Sequence, residues 1–266
     1  MLTGPFEPFI AHRSLLWEMT KRDVLGRYRG ASFGLLWALL SPFLMLCVYT
    51  IAFGFVLKSR WPHAGDSKAN FALILYVGLI VHGFFAECMV RSPQLVLGNP
   101  NFVKRVIFPL DVLPWSMILS ATFHALINML VFVILHAITA GPPPWTVVYF
   151  PLVLLPLVIF AAGISWFLAS LGVYLRDVNQ VTGVLAAAML FLSSAIVPGD
   201  ALPERYHTLF RLNPLTFIID EARNVALWGI QPDWAGLGLY ALASLGVMYL
   251  GHAWFRATRA GFADVL

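Results

Sequence analysis

Two histidines and an asparagine, His124, Asn128 and His136, stand on one uncharged stretch of the chain, and side chains of these types can relay a proton or hold a metal. The spacing argues against both: the imidazoles lie 12 residues apart with no carboxylate between them, so hydrogen bonding between helices is the simpler role. Glu87 sits one turn from the end of an apolar run, where a carboxylate pairs with a cation or reaches for the interface. Ser193 and Ser194 have no base at a recognisable spacing. Cys47 and Cys88 fall in apolar runs and read as small buried residues rather than as a metal site or a disulfide. None of the four lysines, Lys21, Lys58, Lys68 and Lys104, follows a glycine, so the GxxxxGK[ST] phosphate cradle is missing. No catalytic or metal-binding residue is assigned, and no cofactor is expected on this chain.

The remaining chemistry is a change of character between Lys21 and Gly34. Arg22, Arg27 and Arg29 make this run basic, while Trp17, Val24, Leu25 and Tyr28 recur at roughly helical spacing, which predicts an amphipathic helix lying in the headgroup plane. Gly30 and Gly34 permit a sharp corner. Leu35 to Leu57 then carry no formal charge, long enough to cross a hydrocarbon core of ~30 Å. A charged group at the bilayer centre costs at least ~2.5 kcal/mol, so the arginines stay outside, and by the positive-inside rule that side is the cytoplasm.

Of the 266 residues, 60% are hydrophobic and only 11% charged, against roughly 25% charged in a soluble domain. The expected fold class is therefore an all-α membrane protein with six transmembrane helices, an amphipathic N-terminal interfacial helix, and two short re-entrant periplasmic helices between spans five and six. Residues 1–34 form the cytoplasmic helix region and 35–266 the transmembrane domain. Spans are expected near 35–57, 71–90, 112–139, 146–175, 178–197 and 234–255. The three prolines Pro142 to Pro144 force a turn between the third and fourth, and the short link Arg176-Asp177 should hold the fourth and fifth side by side. On this topology 11 of the 17 Lys and Arg residues are cytoplasmic, so the net charge of +4 reports orientation and not a nucleic-acid partner. Both termini are cytoplasmic. The first thirty residues lack a secretory signal's apolar core and cleavage site, so the first span is expected to serve as its own insertion signal.

Two connections are too apolar to be plain loops. In the cytoplasmic segment 91–111, Asn99-Pro100 starts a short helix carrying Phe102, Val103, Lys104, Arg105, Val106 and Ile107, and Pro109 limits it to about two turns. Its apolar side suits a partner's groove, with Lys104 and Arg105 at the rim. In the external segment 198–233, Pro203 and Pro214 each read as a first helical position, the latter preceded by Asn213. Asp220 and Arg223 share a helix face there, beside Glu221.

The run Arg27-Tyr28-Arg29-Gly30-Ala31-Ser32-Phe33-Gly34-Leu35-Leu36-Trp37, followed by Ser41-Pro42 and Tyr49, resembles the entry to the first span of ABC-2 type permeases that export polysaccharides, the O-antigen and related cell-surface glycan exporters. Lys104 to Pro109, Arg176-Asp177 and Asn213-Pro214-Leu215 through Arg223 follow in that family's order and spacing, so the resemblance spans nearly the whole chain. It implies a subunit of the bacterial inner membrane that pairs with a second copy of itself and binds two nucleotide-binding ATPase subunits, which hold ATP and Mg. It also implies that lipid-linked polysaccharide, carried on undecaprenyl diphosphate, moves between the protomers. Trp17, Arg27, Tyr28, Arg29, Gly30 and Gly34 would frame a cytoplasmic gate, where guanidinium groups can hold a diphosphate by paired hydrogen bonds and aromatic rings can meet sugars. Phe102 to Ile107 would couple to the ATPase. Asn213, Pro214, Asp220, Glu221 and Arg223 would belong to a periplasmic gate. The alternatives are an ABC-2 permease for a teichoic-acid-like polymer, a drug or a lipid, and a secondary transporter, which would be expected to show inverted repeats or midplane charges.

Overall fold

A computed structural model of the chain describes residues 4–49, 51, 68–103, 108–196 and 204–265. Among these residues all regular structure is helical. In chain order the helices are α1 (Glu7–Ala11), α2 (Arg13–Arg27), α3 (Trp37–Tyr49), α4 (Lys68–Arg91), α5 (Gln94–Leu97), α6 (Pro100–Val103), α7 (Val112–Thr139), α8 (Phe150–Tyr174), α9 (Val178–Phe191), α10 (Glu204–Leu212), α11 (Pro214–Arg223), α12 (Trp234–Thr258) and α13 (Phe262–Val265). Among the described residues four helical stretches are long and apolar enough to cross a membrane: Phe71–Arg91, Val112–Thr139, Trp145–Tyr174 and Trp234–Val265. They match the second, third, fourth and sixth expected spans. The first expected span is described only in part, as a 3-10 turn at Gly34–Leu36 leading into α3.

The fifth expected span is shorter than the sequence suggests. Helix α9 stops at Phe191, and its 14 residues reach about 21 Å, less than a hydrocarbon core. Beyond it Asn213 donates from Nδ2 to the carbonyl of Leu192 at 3.0 Å and holds the exit of the helix against the start of α11. The short Arg176-Asp177 link is present, yet α9 lies mainly against α4 rather than beside α8, and His82 bridges α4 to the carbonyl of Ala186 at 2.9 Å.

Helices α8 and α12 form the most extensive pairing in the bundle. They meet backbone to backbone at two glycines: a Cβ on Gly251 would lie 2.1 Å from the carbonyl oxygen of Gly163, so no other residue fits there without parting the helices. Around this seam, α4, α7 and α8 bury one continuous core that includes Phe85, Phe132, Phe150 and Trp166.

The N-terminal helix buries a face that lies beside the apolar stripe read from the sequence. Helix α2 packs on α7 through Leu16, Met19, Thr20 and Val24. Of the stripe Trp17, Val24, Leu25 and Tyr28, only Val24 is buried, while Trp17 is 65% exposed and Leu25 is exposed as well. The reason is geometric: α2 lies against another helix on the side next to that stripe, which frees Trp17 to face outward. Residues 5–9 are tied down by Trp115, whose ring meets those of Phe6 and Phe9 and whose Nε1 donates to the carbonyl of Pro5 at 2.8 Å.

Candidate functional site

Two polar clusters occupy opposite ends of α4, about 20 Å apart along its axis. At its C-terminal end Glu87 receives both η nitrogens of Arg27, one of them at 3.2 Å, and also accepts from Arg91 at 2.8 Å. Arg91 turns its second nitrogen to Asp23 at 2.6 Å. Two cations and two carboxylates thus form a chain, Asp23–Arg91–Glu87–Arg27, that clamps the last turns of α2 onto the end of α4. Glu87, only 18% exposed in its side chain, is the shared member. Removing paired charges from water demands such saturation with partners.

The adjoining Tyr28 places its hydroxyl 3.3 Å from Nδ1 of His124, with the rings edge to face. Burial pushes the Tyr28 phenol above its ordinary pKa, and Glu87 adds to this while Arg27 opposes it. Gly30 follows with φ of 87° and Gly34 with φ of 49°, a left-handed conformation that glycine adopts without strain, so the corner expected from the sequence is present. Behind Arg27 and Tyr28 opens a cavity of about 290 Å³ bordered by Trp37, Tyr76, His124 and Asn128. Of the six residues expected at this gate, Arg27 and Tyr28 line the cavity and the glycines shape the corner. Trp17 and Arg29 point elsewhere and are exposed. Glu87, Arg91, Asp23 and His124 belong to the site although the sequence pattern did not single them out as a group. The available signal was the coincidence of two charges, Glu87 and Arg91, one helical turn apart at the end of an apolar run.

Phe102 and Val103 are half-buried against the chain's own core. The Phe102 ring stacks on Phe108 at 4.3 Å, with the Arg22 guanidinium 5.9 Å above it. Lys104, Arg105, Val106 and Ile107 lie outside the described residues. Nearby, Asp111 precedes α7 and accepts from Arg259 at 3.2 Å, with Nε2 of His252 at 3.4 Å. Burial disfavours the Asp111 carboxylate, but His252, Arg259 and Arg256 outweigh it and hold its pKa below the ordinary value.

At the other end of α4, Arg223 is 1% exposed. Its Nε donates to the carbonyl of Ile74 at 3.1 Å, and its two η nitrogens to those of Ser194 at 2.6 Å and Ala195 at 2.9 Å. Asp220 stands 3.6 Å away and is 51% exposed, so the expected pair exists, and three backbone carbonyls receive the arginine besides it. Burial lowers the guanidinium pKa to about 10, which leaves it charged at neutral pH. Gly78 makes room for it, since a Cβ there would come within 2.7 Å of Arg223 Nη2.

Neighbouring side chains fix the same region. Glu221 accepts from Asn224 at 3.0 Å and from the Asp233 amide at 2.8 Å. Asn213 caps α11 by accepting from the Leu215 amide at 2.9 Å, and Pro214 occupies the first turn as expected. Pro203 lies outside the described residues. Asn213→Ala is expected to lower stability by about 1 to 2 kcal/mol, since it removes both the cap and the bond to Leu192. Thermal unfolding of the purified variant measures this, and an unchanged midpoint would show that the cap is dispensable.

Among the described residues no three His, Cys, Asp or Glu side chains gather as metal ligands, and Cys47 and Cys88 are unbridged. The arrangement is that of helices latched at both ends by arginine, with an open polar and aromatic cavity at one of them. The profile of the ABC-2 type transporter family matches residues 14–227, four-fifths of the chain. This chain belongs to the ABC-2 type transporter family. Against the O-antigen export system permease protein RfbA of Myxococcus xanthus, this ABC-2 chain is 24% identical over 95% of both sequences. The corresponding protein of Klebsiella pneumoniae is 24% identical with the same coverage. The polysialic acid transport protein KpsM of Escherichia coli is 25% identical over 88% of this chain and 90% of its own.

Proposed function

We propose that this ABC-2 protein is the membrane subunit of an ATP-driven exporter that moves lipid-linked polysaccharide across the bacterial inner membrane. The observation that carries the reading is the alignment with O-antigen permeases across 95% of both chains, which includes the α2 corner, the α4–α7 connection and α11. The geometry supports it: the cavity beneath Tyr28 presents Trp37, Tyr76, His124 and Asn128, a mixture of ring faces and hydrogen-bonding groups that suits sugar or diphosphate. Membership in this family sets the secondary-transporter alternative aside.

In this reading the stretch 35–57 and the segment 178–197, which begins with α9, supply two crossings beside the four long helices, and both termini face the cytoplasm. Two copies enclose the path. Exposed apolar side chains along α3 and α9, among them Phe43, Val48, Val184 and Phe191, are available for lipid or for the second copy. ATP and Mg belong to two separate ATPase subunits, which contact the 91–111 connection. Co-purification with the ATPase encoded alongside the gene tests this partnership. A complex holding two copies of each chain is expected, and a chain that remains alone at equal expression would contradict it.

The same complex gives a finer prediction. Phe102→Ala should uncouple ATP hydrolysis from export more strongly than Lys104→Ala, because loss of the ring removes the stack on Phe108 that shapes this connection, whereas a rim charge mostly steers association. Transport per ATP hydrolysed is the readout, and equal values in the two variants would refute the ordering.

A further inference from the structure

Gly78, Gly163, Gly172 and Gly251 stand in long helices because packing requires them: a Cβ at these positions would strike Arg223, Val247, Pro93 or Gly163. Gly83 of α4 is different. A Cβ there would meet nothing within 4 Å, although glycine weakens a helix interior relative to alanine. The open space beside it is the cavity of about 290 Å³ behind Arg27 and Tyr28, which Gly83 borders from α4, Trp37 and Ser41 from α3, and Asn128 from α7. Gly83 is exposed, so a group that enters the cavity can lie directly against the helix backbone.

The polar groups on these walls have accessible surface and spare hydrogen-bonding capacity. Asn128, half-buried, takes the Tyr76 hydroxyl on its Oδ1 at 3.4 Å and leaves its Nδ2 without a partner among the described residues. The indole N–H of half-buried Trp37 and the hydroxyl of exposed Ser41 are likewise unengaged among those residues. The charges, by contrast, are already matched. Arg27 directs both η nitrogens to Glu87, which lines the same cavity, so the lining guanidinium is not left open to a diphosphate. An anion there would also meet the Glu87 carboxylate.

We infer that this cavity seats one uncharged sugar ring of the exported glycan and that Gly83 sets the size of ring it admits. The assignment rests on the exporter reading above and narrows it, because the diphosphate is then held elsewhere. A volume of about 290 Å³ corresponds to roughly ten waters, the scale of a single ring with its hydroxyls and not of a chain. Ring hydroxyls accept from Asn128 Nδ2 and the Trp37 N–H and donate to Ser41 Oγ, while the ring lies over the bare backbone at Gly83.

Equilibrium binding to the purified full chain in nanodiscs, with undecaprenyl diphosphate carrying one neutral hexose and with undecaprenyl diphosphate alone, tests the assignment. The hexose should tighten binding to the wild type about tenfold, the equivalent of one or two neutral hydrogen bonds. Gly83→Leu should remove that advantage by filling the cavity, and Asn128→Ala should reduce it about threefold, both with little change in affinity for the bare lipid. Gly238→Leu, at an exposed α12 glycine with equally open surroundings, should keep the full advantage. Equal wild-type affinity for the two lipids, an advantage intact in Gly83→Leu, or a Gly83→Leu protein of unchanged melting midpoint that loses both lipids alike would overturn the assignment. A Gly83→Leu change that alters the oligomeric state and leaves the hexose advantage in place would overturn it too, by giving the space to a second copy. Should Gly83→Leu fail to fold, Asn128→Ala decides alone, and an undiminished advantage overturns. A wild type that binds neither lipid would remove the exporter reading and this assignment together.

Discussion

Arg223→Ala should lower the stability of the membrane-inserted protein by about 3 kcal/mol or more and reduce export to a small residue, while Asp220→Ala changes either by little. The asymmetry follows from burial. Arg223 joins α4 through Ile74, the exit of α9 through Ser194 and Ala195, and its own helix α11. Truncation removes this donor from the buried carbonyls of Ser194 and Ala195, each at a cost of roughly 1 to 3 kcal/mol before relaxation. Asp220 is half exposed, where an ion pair is worth no more than about 1 kcal/mol. Lysine cannot rescue the position, because one ammonium does not reach three carbonyls in the plane of a guanidinium. The double variant should be milder than the sum of the two single changes, since the two side chains share one ion pair. Gly78→Ala should reproduce part of the defect by pushing into Nη2. Unfolding midpoints and export, both normalised to inserted protein, decide: an Arg223→Ala protein with wild-type midpoint and transport would refute the latch.

At the other end of α4, Glu87→Ala is expected to have the next largest effect, about 3 kcal/mol and a loosened α2. Glu87 accepts from both Arg27 and Arg91, so its removal leaves Arg27 without its carboxylate and Arg91 with Asp23 alone, whereas Arg27→Ala leaves Glu87 with Arg91 still bound. The expected order of damage is therefore Glu87→Ala, then Arg27→Ala, with Glu87→Gln intermediate because it keeps an acceptor without the charge. Limited proteolysis after Arg22, which every variant keeps, gives a direct view of α2, and cleavage should accelerate in the same order. Arg27→Ala cutting faster than Glu87→Ala would place the main restraint elsewhere.

The helical class and four of the long helices were readable from apolar run lengths, because a bilayer span depends on length and mean polarity more than on detailed packing. The helix start at Asn213-Pro214 was readable too, since capping is local chemistry. The buried face of α2 was not. The stripe of Trp17, Val24, Leu25 and Tyr28 reads as a lipid-facing side, but only the position of α7 determines that Leu16, Met19, Thr20 and Val24 form the face covered by protein. The length of α9 was hidden for a related reason. The sequence stays uncharged to Val197 while the helix ends at Phe191, and the side chains that hold its exit, Asn213 and Arg223, lie 21 residues or more farther along the chain. The Asp23–Arg91–Glu87–Arg27 chain joins residues 60 or more apart in sequence, apart from the one-turn pair Glu87 and Arg91. The other contacts could not be read from local spacing. The Asp220 and Arg223 pair was legible as neighbours on a helix, but the three carbonyls that receive the arginine come from distant segments.

The most direct test of the exporter reading is transport in proteoliposomes that contain this chain and its ATPase, loaded on the ATPase side with polysaccharide linked to undecaprenyl diphosphate. Polymer should reach the opposite side only when ATP is hydrolysed, and Glu87→Ala and Arg223→Ala should slow its arrival. Hydrolysis unaffected by the polymer, with no polymer crossing while another lipid or a drug does, would contradict the proposed substrate.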